Sequence, residues 1–317
     1  MWRGRLLRLV LAAALSLACL AWLATRVDAA ALAARLGAVD PRALALAFAL
    51  TWLLPFWRAA RLAAFVPGGH HAPRGTCWRI AAEALLWAFL LPFKLGELGL
   101  PVLLHRRLGF APAAAAGLFL LVRLADFFVI AGLLACGAAL VPGLGLAEGP
   151  RLLLALLGGA LLLAPLLLAF LVVRGGAGLG HRLRVLAALS AGLTALARPA
   201  VRARLLLSSW AIWATHVLVA WTASAAAGVA PGPAEVLLAS SAGNLAFALP
   251  VSGVLGLGPQ QVAFAGALAL GETDWSAATV AAIATYVAVL AGALSTGLTA
   301  WLWQAWSPGT PADPAKP

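Results

Sequence analysis

Charge is scarce in this 317-residue chain: Asp, Glu, Lys and Arg together make up 10% of it, where soluble globular proteins carry about a quarter. So few charges cannot clothe a water-facing surface, and a soluble catalytic domain is excluded. Cysteine is also rare. Cys19, Cys77 and Cys136 lie far apart and match no CxxC spacing, which argues for small buried hydrophobes rather than a disulfide scaffold or a zinc site. His70-His71 has no third ligand at metal spacing and reads as loop. There is no HExxH, Walker A, GxSxG or paired catalytic carboxylate pattern, so neither an enzyme nor a cofactor is expected.

What is abundant is apolar. Hydrophobic residues reach 64% and mean hydropathy is +1.00. Apolar runs repeatedly approach the ~20 residues that cross a hydrocarbon core of ~30 Å. Continuous spans are predicted at about 6–25, 43–66, 111–141, 152–173, 205–228 and 276–304. The Arg-rich start and apolar run of Met1 to Leu23 also fit a signal peptide, but the first span is the main reading.

Two further apolar regions, about 79–107 and 236–270, are interrupted by Leu91-Pro92 and Leu249-Pro250, each followed by glycine. Neither makes a comfortable single span, and broken backbone at membrane depth is tolerated only where protein buries it or it lines a wet cavity. Each has a half-helix, a Leu-Pro break, then Leu-Gly and an Ala-rich long helix. The first runs through Leu108-Gly109 to Ala113 and Ala116; the second runs through Leu270-Gly271 to Ala277-Ala278. The expected fold is therefore an all-α polytopic membrane protein. It has about six full transmembrane helices and two re-entrant helical hairpins arranged as inverted repeats, a layout that puts a substrate site where broken helices meet. One domain covers residues 1–306. Residues 307–317 read as a short disordered cytoplasmic tail, and 175–204 as a loop with an interfacial helix.

The 22 Lys and Arg outnumber the 10 Asp and Glu. In a soluble protein that balance would suggest nucleic acid; here most basic residues flank spans, as the positive-inside rule requires. With the N-terminus inside, Arg3, Arg5, Arg8, Arg58, Arg61, Arg74, Arg79, Lys94, Arg106, Arg107, Arg174, Arg182, Arg184, Arg198, Arg202, Arg204 and Lys316 count as cytoplasmic, and only Arg26, Arg35, Arg42 and Arg151 fall outside. The expected location is a bacterial inner membrane with both termini cytoplasmic.

Charges inside spans are costly and mark function or structural pairing. Glu83, Glu97, Arg123 and Asp126 stand out. Arg123 and Asp126, three apart on one helix, can pair on one face, either as a structural lock or as a cavity-facing pair with Arg123 open to a phosphate. Lys94 and Glu97 flank Gly96 in the first break; Lys94 either snorkels to the surface or holds a headgroup. In the second break, Ser252, Gly253, Gly256 and Gly258 offer close backbone approach, and Asn244, Gln260 and Gln261 neutral hydrogen bonds.

At Pro92-x-Lys94-x-Gly96-Glu97, Arg123-x-x-Asp126 and Pro250-x-Ser252-Gly253-x-x-Gly256, the chain resembles the lysylphosphatidylglycerol synthase transmembrane region, a flippase-like family. The resemblance covers about residues 40 to 300. It departs where the family usually has an Arg after the Gly-Glu, here Leu100-Pro101, and a second Gly and a Glu in the later motif, here Val254 and Pro259. The resemblance implies translocation of a polar or anionic lipid, a phospholipid or a prenyl-phosphate-linked lipid, with those motif residues at the substrate. A non-transporting membrane partner of a lipid- or glycan-modifying enzyme is the alternative.

Overall fold

The computed structural model describes residues 2–66, 74–175, 198–248 and 254–306, and within them every side chain except those of 2–9, 12, 92–94, 168–175 and 254. Every regular element among the described residues is helical. In order these are α1 (Trp2–Ala24), α2 (Ala29–Gly37), α3 (Pro41–Thr51), α4 (Leu53–Phe65), α5 (Arg74–Leu90), a 3₁₀ turn (Pro92–Leu98), α6 (Gly99–Leu108), α7 (Pro112–Leu140), a short 3₁₀ turn (Pro142–Leu144), α8 (Glu148–Gly175), α9 (Pro199–Ala226), α10 (Pro233–Ala248), a third 3₁₀ turn (Val254–Gly256), α11 (Pro259–Ala269) and α12 (Trp275–Trp306).

Local chemistry sets the boundaries. Pro41, Pro112, Pro199 and Pro259 sit in the first turn of their helices, where the missing N–H costs nothing. The Asp28 carboxylate accepts from the Ala30 and Ala31 amides and Asp40 from that of Arg42, each capping a helix start. The step between α3 and α4 falls at Trp52 because Pro55 cannot donate to the Thr51 carbonyl four residues back and its ring crowds that oxygen.

Among the described residues five helices are long and apolar enough to cross a membrane: the α3–α4 pair (Pro41–Phe65), α7, α8 over Glu148–Leu167, α9 and α12. A sixth is available if α1 and α2 count as one span, bent by 97° after Ala24. The spans expected from residue 43 onward are thus present. The expected helix within 175–204 falls mostly on 176–197, which with the tail 307–317 lies outside the described residues. Helix α12 is central, with 72% of its most apolar stretch buried, and α8 is peripheral, with 11%. Leu152, Leu153, Leu156 and Leu163 of α8 are exposed, which in lipid is the solvated state. Glycine lets backbones approach where hydrophobic burial gives no drive between helices: Gly132 of α7 and Gly158 of α8 meet, and Gly292 of α12 lies against Thr51.

The two interrupted regions share a layout. α5, α6 and α7 have 17, 10 and 29 residues; α10, α11 and α12 have 16, 11 and 32. None of the four shorter helices is among the membrane-crossing ones.

Candidate functional site

The two breaks meet. The 3₁₀ turn after α5 packs against the short turn Val254–Gly256 that precedes α11. Phe89, at the end of α5, stacks on Phe247 at the end of α10 with ring centroids 5.0 Å apart. Leu255, Gly256 and Gly258 all have positive φ, 55°, 78° and 105°, a region a leucine enters only when its surroundings hold it there. Two hydroxyls do the holding. Tyr286 of α12 donates to the Leu255 carbonyl at 3.0 Å and Ser16 of α1 donates to that of Leu257 at 2.9 Å.

Beside this junction lies a cluster of charges drawn from three elements. Arg61 of α4 grips Asp126 of α7 with both terminal nitrogens, at 2.7 and 3.1 Å, and also donates to Ser209 of α9 at 3.1 Å. Both side chains are buried, 4% and 8% exposed. One turn earlier on α7, Arg123 pairs with Glu97 of the 3₁₀ turn at 3.2 Å. The i,i+3 ion pair expected between Arg123 and Asp126 is therefore replaced by two interhelical pairs, because each side chain finds a better-placed partner across the packing seam. Arg58, one turn before Arg61, completes the cluster. Among the described residues it belongs to no ion pair, and its Nε has no hydrogen-bond partner.

Four of these charged residues, all but Arg61, form one wall of a cavity of about 530 Å³. Arg58, Glu97, Arg123 and Asp126 supply the charge; His216, Asn244 and Gln260 add neutral polar groups; Phe89, Phe127, Trp213 and Phe247 make the apolar remainder. The size suits a ligand headgroup. The Gln260 side-chain oxygen is buried and finds no partner among the described residues.

Sequence reasoning placed Glu97, Arg123 and Asp126 here, and the structure brings them together. Gly96 has a different role from the one expected. It is buried, and a Cβ there would run into the Trp87 carbonyl, so its lack of a side chain lets the turn fold back on α5 and does not open the backbone to a ligand. Gly256 likewise packs under the Phe247 ring. Pro92 and Lys94 lie in the 3₁₀ turn with side chains outside the described residues, and Pro250, Ser252 and Gly253 lie wholly outside them. Glu83 sits elsewhere. Both its oxygens accept from Arg107, at 2.8 and 2.9 Å, and Arg107 also reaches Gln304 at the end of α12; this knot fastens α5, α6 and α12. Arg58 and Arg61 were missed as site residues and counted as cytoplasmic charge, although both fall inside the predicted span 43–66. That position in an apolar run, with i,i+3 spacing, was the available signal.

Fold and site together define a polytopic α-helical membrane protein with an arginine-lined cavity where two broken helices meet. The chain belongs to the lysylphosphatidylglycerol synthase TM region family, which it matches over residues 9–298. No curated protein is similar enough to match.

Proposed function

We propose that this protein moves a lipid with a polar or anionic headgroup across the bilayer, the headgroup passing through the cavity while the acyl or prenyl chains stay in lipid. The observation that carries the reading is the charge count. Arg58, Arg61 and Arg123 gather with Asp126 and Glu97 at one edge of the cavity, all but Arg61 lining it, leaving a cation without a carboxylate of its own. A surplus cation at membrane depth, here the half-buried Arg58, is costly, and a phosphate-bearing headgroup is its natural complement. Asp126 has both oxygens engaged by Arg61 and serves as a lock. Glu97, on the turn that contacts the second break, is then the group that exchanges partners as a headgroup arrives and the candidate proton carrier if transport is ion-coupled.

The three spans α7, α8 and α9 between the two broken regions, with the excess of basic residues on one side, support hairpins entering from opposite faces and a bacterial inner membrane with both termini cytoplasmic. No nucleotide-binding motif accompanies them, so movement is downhill or ion-coupled. The test is reconstitution in liposomes with a fluorescent anionic phospholipid. Translocation above that of empty liposomes, reduced in Arg58→Gln and Glu97→Gln, is expected. Rates equal to empty liposomes and indifferent to both substitutions would discard the reading.

A further inference from the structure

Helix α4 carries two stripes at helical spacing. Arg58, Arg61, Leu62 and Phe65 (i, i+3, i+4, i+7) face the protein, Arg61, Leu62 and Phe65 being buried and Arg58 lining the charged cavity. Phe56, Ala59, Ala60 and Ala63, two residues out of phase and thus on the opposite side, line a second cavity of about 610 Å³. This one lies between α4, the N-terminal turns of α5, the start of α9 and the C-terminal end of α12. Its remaining walls combine indole rings (Trp57, Trp78, Trp303) with two guanidinium groups, Arg74 and Arg204.

We infer that this groove is a dock for an anionic phospholipid, separate from the charged cavity on the other side of α4. The reasons are chemical. Trp78 stands 6.2 Å from Trp303 and 6.4 Å from Trp52, a run of indoles at helix ends of the kind that marks the membrane–water boundary. Arg74 and Arg204 are both exposed, and among the described residues no acidic side chain lines the groove with them, so the site is positive at headgroup level and apolar below it. Leu207 and Phe56, 70% and 58% exposed, continue the apolar surface toward the hydrocarbon, where an acyl chain would lie. Basic grooves between helices at that level suit anionic headgroups, and a zwitterionic lipid would bring a second cation against the two arginines. The inference does not depend on transport: Arg74 and Arg204 take no part in the charged cavity.

Native mass spectrometry of the full chain, released from nanodiscs of mixed phosphatidylglycerol and phosphatidylcholine, tests it. The wild type should retain phosphatidylglycerol in preference. Arg74→Gln/Arg204→Gln should lower that preference about 25-fold, at about 1 kcal/mol per basic residue and 1.4 kcal/mol per tenfold; Arg74→Lys/Arg204→Lys should keep most of it. A preference unchanged in the Gln pair, equal loss of both lipids, or a loss confined to Arg58→Gln/Arg123→Gln would overturn the assignment. Should the Gln pair fail to fold, the wild type still decides. Phosphatidylglycerol with brominated acyl chains should quench a fraction of the tryptophan fluorescence that Trp57→Phe/Trp78→Phe removes, and brominated phosphatidylcholine should not. Equal quenching by both lipids, or quenching untouched by the substitutions, would refute the dock.

Discussion

Arg61 and Asp126 form a two-pronged ion pair, 2.7 and 3.1 Å, that ties α4 to α7 in the protein interior. Removing one partner of such a pair leaves an uncompensated buried charge, at a cost of about 3–5 kcal/mol, whereas replacing both by apolar groups of similar volume can be neutral. Asp126→Ala should therefore lower the thermal midpoint of the detergent-solubilised protein sharply, and Arg61→Met/Asp126→Leu should recover most of the loss. A double variant no more stable than the single one would mean that the pair does more than balance charge.

Arg123 and Glu97 differ from that pair in exposure, 35% and 13% for their side chains. A half-exposed pair is worth less than a buried one, and the fully exposed limit is about 0–1 kcal/mol. Glu97→Gln and Arg123→Gln should melt within a few degrees of wild type yet transport a fluorescent anionic lipid at least tenfold more slowly, a fall of about 1.4 kcal/mol in transition-state stabilisation. Melting curves and liposome translocation rates measured on the same preparations separate the two effects.

Gly96 and Gly159 make a controlled comparison. A Cβ at Gly96 would meet backbone of Trp87, while one at Gly159, on the lipid side of α8, meets nothing within 4 Å. Gly96→Ala should destabilise, since backbone must shift. Gly159→Ala should be neutral or stabilise by up to about 1 kcal/mol, because alanine is the better helix former. Thermal midpoints of the two variants check this.

The left-handed turn at Leu255 is held by the Tyr286 hydroxyl. Tyr286→Phe leaves that carbonyl without its donor, at about 1–3 kcal/mol for a buried group. Hydrogen exchange over residues 254–258 should accelerate while α12 itself stays protected. Exchange unchanged in that segment would show that the Ser16 contact from α1 suffices.

Much of this architecture was legible beforehand. The long apolar runs became α3–α4, α7, α8, α9 and α12, and the break at Pro92 became the 3₁₀ turn, since proline removes a helical hydrogen bond wherever it stands. Glu97, Arg123 and Asp126, which line one cavity, were conspicuous in the sequence because charge inside an apolar run is rare. Their partners were not legible. Asp126 was the nearest carboxylate to Arg123 along the chain, yet it turns to Arg61, 65 residues away. Arg58 and Arg61 were assigned to the cytoplasmic surface because counting charges near span ends takes no account of depth.

Composition and periodicity thus determined on their own that lipid is this protein's solvent, where most helices begin and end, and where two apolar regions are interrupted. Those properties follow from transfer free energy and backbone hydrogen bonding, which are local. Which charges neutralise one another, and that Arg58 is left over to face a cavity, was decided by how α4, α7 and the two breaks pack. Electrostatic pairing depends on distance through space and on the water excluded around it, and neither is written along the chain.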